Sequence, residues 1–110
     1  MIITEAKIRE ISDTIAKNYA PDKIILFGSY ATGNYNENSD IDLLIIKDTD
    51  RPRYKRGQTV RKFLYGSMVP IDIVVYTNSE VEENKDTKYT FIYEVLKTGK
   101  VIYDKKNNNN

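Results

Sequence analysis

Two aspartates one residue apart, Asp40 and Asp42, stand where a polar loop gives way to the apolar run Ile41-Asp42-Leu43-Leu44-Ile45-Ile46. Strand side chains alternate between faces at about 3.3 Å per residue, so the two carboxylates share a face with their Cα atoms about 6.6 Å apart. Like charges at the rim of a buried strand repel each other and resist desolvation, and a counter-charge between them relieves both costs. A hard divalent cation such as Mg²⁺ suits the place, because it takes carboxylate oxygens together with substrate phosphates. A third carboxylate, Asp72, interrupts the β-branched run from Val69 to Tyr76. By parity it points with Val74, while Asp40 and Asp42 point with Leu44, so each strand has a face that turns from apolar to acidic towards one end. Upstream, Ile24-Ile25-Leu26-Phe27 ends in Gly28-Ser29, and Gly33 follows five residues after Gly28. A glycine there lets backbone approach a ligand closely, and a serine opening a short helix adds a hydroxyl donor; phosphate is the ligand such a turn favours.

What is missing bounds the chemistry as firmly. The 110 residues contain no cysteine and no histidine. That removes disulfides, thiol nucleophiles, Cys-based zinc sites and the usual neutral-pH general base. Catalysis falls to carboxylates, Lys, Tyr, hydroxyls or a metal. The nine tyrosines read as core and surface aromatics rather than self-modification sites. A formal net charge of +1 gives no bulk electrostatic case for nucleic acid. No long apolar span and no signal-peptide pattern is present, so a cytoplasmic protein without membrane association is expected.

The elements that must position these residues follow from periodicity. Ile2 to Tyr19 carries Ile8, Ile11 and Ile15 at helical spacing and ends before Pro21. The run from Ile24 to Phe27 is short and β-branched enough for a strand buried on both faces. After the second strand, Lys47 to Asp50 is a turn, and Pro52 opens a helix reaching about Tyr65, closed by Gly66. That helix is rich in cations (Arg51, Arg53, Lys55, Arg56, Arg61 and Lys62), read as a solvated face from which some could neutralise phosphates or meet an acidic partner. Val69 to Tyr76 is the third strand, with Pro70 tolerated at its start. Asn78 to Gly99 is helical with a break at 84–86, where Asp86 or Thr87 caps a later helix that turns Phe91, Val95 and Leu96 inward. Val101 to Tyr103 is a last strand at a sheet edge. The expected architecture is α+β with α/β-type layers, a small mixed sheet flanked by helices. One domain should span 1–104, with a disordered polar tail at 105–110.

The stretch Gly28-Ser29-Tyr30-Ala31-Thr32-Gly33, followed by Ser39-Asp40-Ile41-Asp42-Leu43, closely resembles the signature of the nucleotidyltransferase superfamily that includes DNA polymerase beta. Within it the chain is most similar to the minimal nucleotidyltransferases, the antitoxin halves of HEPN/MNT toxin–antitoxin pairs. The resemblance implies the polymerase beta-like fold and a metal-dependent transfer of a nucleoside monophosphate, AMP from ATP or the equivalent from another triphosphate, to a hydroxyl. It implies that Asp40, Asp42 and Asp72 are the catalytic and metal-ligating residues of a two-metal site for Mg²⁺ or Mn²⁺, with Asp72 nearest the attacking hydroxyl as its base. Gly28, Ser29 and Ser39 would bind the nucleotide. The implied partner is a HEPN-domain toxin encoded nearby, adenylylated on a tyrosine; homo-oligomeric and hetero-oligomeric forms both stay open. One departure stands out: the family's turn commonly offers a basic residue between Ser29 and Gly33, where this chain has Tyr30 and Thr32. A phosphate-contacting arginine is then either missing or supplied from Arg51 or Arg53. Two other functions compete: a non-catalytic module that neutralises a toxin by binding it, and a small-molecule (antibiotic or sugar) nucleotidyltransferase completed by a second chain.

Overall fold

A computed structural model describes residues 2–107. Four strands, β1 (Lys23–Phe27), β2 (Ile41–Ile46), β3 (Ile71–Tyr76) and β4 (Lys100–Asp104), form one sheet in the order β3-β2-β1-β4. β1 is antiparallel to β2 and β4, whereas β2 and β3 run parallel, which makes the sheet mixed. The two central strands are covered on both faces, and consecutive residues Ile24, Ile25 and Leu26, like Leu43, Leu44 and Ile45, are all buried. On one face Ile24, Leu26, Ile41, Leu43, Ile45 and Val75 meet Ile11 and Ile15 of α1 (Glu5–Tyr19) and Val60 of α3 (Arg53–Phe63). On the other, Ile25, Leu44 and Ile46 pack against Val81 of α4 (Asn78–Asn84) and against Ile92 and Val95 of α5 (Phe91–Thr98).

Several boundaries differ from the sequence reading, each for a local reason. α1 starts at Glu5 rather than Ile2, because the Thr4 side chain accepts from the Lys7 amide at 3.1 Å and caps the helix. β3 starts at Ile71; Pro70 has no N–H for the ladder, and its carbonyl instead accepts from the Ile41 amide at 3.0 Å. The cap of α5 is Thr90, not Asp86 or Thr87, with its hydroxyl accepting from Tyr93 N at 3.2 Å and donating to Thr87 O at 2.8 Å. Starting the helix there turns Ile92 and Val95 onto the sheet and leaves Phe91 and Leu96 half-exposed, contrary to the inward Phe91 and Leu96 expected. Lys105 to Asn107, expected to be disordered, form a turn in which Lys105 N donates to Asp22 O at 3.1 Å and Lys105 Nζ pairs with Asp22 Oδ1 at 2.6 Å. The rest of that expected tail, 108–110, lies outside the described residues. Among the described residues no helix is long and apolar enough to cross a membrane.

The cationic helix α3 is more than a solvated face. β3 is an edge strand, and an uncovered edge leaves carbonyls without partners. α3 lies against that edge. Arg61 Nη1 donates to Ile71 O at 3.0 Å and Arg56 Nη1 donates to Val75 O at 3.1 Å, one at each end of the strand.

Candidate active site

Strand register places the acids. Phe27 of β1 lies opposite Asp42, and Asp42 lies beside Asp72 of the parallel strand β3. The three form a row across the sheet on the face that α4 and α5 cover further along. Asp40 stands two residues earlier at the loop edge, exposed like Asp72, while Asp42 is half-buried. Burial pushes the Asp42 carboxyl up to about 6, with the charge and hydrogen bond of Asp72 and the charge of Asp40 adding to it. The apolar side of the row strengthens this, since the Phe27 and Phe91 rings meet edge to face with centroids 5.4 Å apart. A carboxylate held this way favours a nearby cation. In donor chemistry the site fits Mg²⁺ or Mn²⁺: hard oxygens, excess negative charge, no nitrogen or sulfur. In geometry the fit is partial. Among the described residues no group of three or more His, Cys, Asp or Glu side chains is gathered so that it could hold a metal ion.

Gly28 is fixed by the same row. Its backbone sits at φ 73°, ψ −154°, a conformation that L side chains rarely adopt. A Cβ there would overlap the Asp42 carboxylate. The glycine therefore makes room for the acid, whereas the sequence suggested that it makes room for a phosphate. The helix that follows, α2 (Ser29–Thr32), has only four residues, with Ala31 N and Thr32 N returning to Gly28 O at 3.0 and 3.2 Å. So short an element has little macrodipole, and the turn's polar offering is the Ser29 hydroxyl and its local amides. Ser39 Oγ accepts from Asn36 N at 2.9 Å and so holds the loop that leads into Asp40. A hydroxyl that accepts one bond can still donate one.

The cations fall differently from the sequence reading. Tyr30, at a position where the family commonly has a basic residue, is buried; its hydroxyl accepts from Ile3 N at 3.0 Å and its ring stacks on Tyr35 at 4.4 Å. Arg53 does not reach the acids. Its guanidinium lies 4.4 Å from the ring centroid of Tyr76, four residues along β3 from Asp72, which is about 13 Å of strand. Arg51 belongs to the same distant end, where its carbonyl accepts from Arg56 Nε at 2.7 Å. The cation at the acid end is Arg61, held by the carbonyl of Ile71, the residue before Asp72. Nothing in the α3 sequence separates Arg61 from its neighbours. Arg56, only 6% exposed, bonds Glu80 with both terminal nitrogens, at 2.7 and 3.3 Å. Glu80 also closes a capping box with Thr77, and its carboxyl is drawn down to about 2, chiefly by the hydrogen bond from Arg56. That box is legible in the sequence as Thr77-x-x-Glu80.

The sheet brings three acids and a Gly-Ser turn to one end. Residues 9–108 match the family described as Polymerase beta, Nucleotidyltransferase. Two proteins of Methanocaldococcus jannaschii, each named as a candidate protein adenylyltransferase, are 40% identical to the chain. The matches cover 90% of the chain and 97% of the first relative, and 89% and 92% for the second. Among solved structures, a candidate nucleotidyltransferase from Sulfolobus solfataricus superposes with a TM-score of 0.66 at 22% identity, over 93% of this chain and 81% of that one. A toxin–antitoxin structure with AMP-PNP superposes at 0.57 and 24% identity, over 93% and 74%. The chain belongs to the polymerase beta nucleotidyltransferase family, and it is an enzyme of the nucleotidyltransferase class.

Proposed function

We propose that residues 1–104 are one nucleotidyltransferase domain that moves AMP from ATP to a tyrosine hydroxyl of a HEPN-domain toxin and so acts as its antitoxin. The observation that carries the reading is the row of Asp42 and Asp72 in register, with Asp40 at its rim and Gly28-Ser29 at the end of the adjoining strand. The relatives named as protein adenylyltransferases and the toxin–antitoxin neighbour support the acceptor class.

In this reading Gly28, Ser29 and Ser39 hold the triphosphate, and Asp40, Asp42 and Asp72 are both catalytic and metal-ligating. A pair of Mg²⁺ or Mn²⁺ ions, when bound, supplies charge neutralisation on the entering and leaving oxygens and lowers the pKa of the attacking hydroxyl. The acceptor oxygen forms a bond to the α-phosphorus as the bond to the β-phosphate oxygen breaks, and pyrophosphate leaves. Asp72, at the outer strand, receives the proton of the acceptor hydroxyl. Asp42 and Asp40 orient the α-phosphate, and the aromatic wall of Phe27 and Phe91 keeps water from one side.

The test uses ATP labelled at the α-phosphate, Mg²⁺ and the product of the adjacent reading frame. Label should reach the partner from the wild type and not from Asp40→Asn/Asp42→Asn; equal labelling by the double variant would sink the assignment of the acids. A second reading, neutralisation by binding alone, is favoured by one observation: the three carboxylates do not gather as a metal cluster among the described residues. It predicts that the double variant still forms the complex and still silences the toxin.

A further inference from the structure

The sheet order gives the site a direction. Gly28 and Ser29 close β1, Asp42 lies on β2 and Asp72 on the edge strand β3. With the triphosphate on the β1 side, the acceptor enters from the β3 side, and this step rests on the transferase reading above. The chain immediately before β3 leads into that side. It is joined to the acids through Pro70 O, which accepts from the amide of Ile41, the residue between Asp40 and Asp42.

That segment is unusual in two ways. Within six residues it exposes three large apolar side chains: Phe63 at 37%, Tyr65 at 96% and Met68 at 86%. Single exposed apolar residues are ordinary, but a cluster beside a functional site marks an interaction surface. Met68 also holds φ 66°, a left-handed conformation that is rare for a residue of its kind and tends to persist at functional sites. The flanking charge has one sign: from Arg61 to Ile71 the chain carries Arg61 and Lys62 and no acid. The segment that leads into Asp72 is thus basic and apolar, and Arg61 ties it to β3 through Ile71 O.

We propose that this segment, Tyr65 and Met68 flanked by Arg61 and Lys62, is the docking surface for the acceptor protein, and that it takes an acidic segment with apolar side chains next to the acceptor hydroxyl. Acidic residues on the incoming segment pair with Arg61 and Lys62, while the triad repels them, so the hydroxyl rather than a carboxylate is presented to Asp72. Tyr65 and Met68 supply the apolar anchors, an aromatic and a thioether, residue types favoured at interface centres.

The experiment compares wild type with Tyr65→Asp/Met68→Asp, substitutions at side chains that make almost no contact with the fold. Two properties are read on each: Mn²⁺-dependent binding of labelled ATP to the enzyme alone, and labelling of, together with co-elution with, the product of the adjacent reading frame. ATP binding should be unchanged, while labelling falls at least 30-fold and co-elution is lost. Arg61→Glu/Lys62→Glu should lower labelling by about tenfold and remove its salt dependence. Wild-type labelling and co-elution in the Tyr65/Met68 variant overturn the surface and leave the transferase reading standing. Wild-type co-elution that depends on these residues but brings no label supports the surface and removes the transferase reading. Neither label nor co-elution from the wild type removes both.

Discussion

The two ends of β3 carry the same kinds of side chain in opposite states. At its C-terminal end Arg56 is buried and fully engaged, donating to Arg51 O, Val75 O and both oxygens of Glu80. At its N-terminal end Asp72 stands beside Asp42 and near Asp40, with like charges facing one another across the register. The pKa directions record the difference: Glu80 is drawn down to about 2 by its partner, and Asp42 is pushed up to about 6 by burial and by its neighbours. Matched charges hold the helix–sheet layers together at one end. At the other the mismatch costs stability, and the chain keeps it, with Gly28 leaving space for the Asp42 carboxylate that any Cβ would fill.

The comparison breaks most visibly if the acidic end turns out to be structural. Asp42→Asn should lower nucleotidyl transfer by about 10³-fold, on the order of 4 kcal/mol of transition-state stabilisation. The same change should raise the melting temperature of the ligand-free protein, since it removes a charge from a repelling cluster. Loss of activity with loss of stability would show that Asp42 holds the fold.

At the matched end the signs reverse. Arg56→Ala leaves Glu80 without its buried partner and should cost about 3 kcal/mol in denaturant unfolding. Transfer activity, measured well below the melting temperature, should stay within about twofold, because Val75, whose carbonyl Arg56 holds, lies about 10 Å of strand from Asp72. An Arg56→Ala protein as stable as wild type would remove the contrast between the two ends.

Acid sharpens the contrast. Glu80 has its carboxyl lowered from 4.5 to about 2 on folding. Its stabilisation is present above pH 4.5 and is lost as the pH falls towards about 2. In that window wild type should lose on the order of 2 kcal/mol that Glu80→Gln has no carboxylate to lose. Parallel stability–pH curves for the two proteins would contradict the assignment.

How much of this could be read from the chain follows from how local each signal is. The period of Ile8, Ile11 and Ile15 and the unbroken apolar runs are local patterns from which α1 and the strands follow, as does the Asp40/Asp42 pair; a role for Asp72 comes from the family resemblance. Thr90 as the cap of α5 did not, because Asp86, Thr87 and Thr90 are all acceptable caps; contacts through Thr87 O and Asn84 O select one. Arg56 and Arg61 were hidden among six cations because what distinguishes them is a strand edge and a glutamate 24 residues from Arg56. A side chain whose partner lies far along the chain has no periodicity to announce it. The same is true of the surface at Tyr65 and Met68, which acquires meaning only from where β3 places it.

The smallest expected effect tests the mismatch itself. In the ligand-free protein the Asp42 carboxyl titrates near 6, and a divalent cation requires it ionised. Above that pH the carboxylate is already charged, and the affinity for Mn²⁺, followed by electron paramagnetic resonance, should change little with pH. Below it each bound cation must displace a proton, so the affinity should fall by up to about tenfold per pH unit, on the order of 1.4 kcal/mol. Asp42→Asn should bind Mn²⁺ weakly at every pH and lose the bend near 6. Glu80, already ionised throughout this range, contributes nothing to the curve, and Glu80→Gln should reproduce the wild-type bend. An affinity that is level from pH 7 to pH 5 would mean that the raised acid is not a ligand. The repulsion at this end of β3 would then answer to something other than a divalent cation.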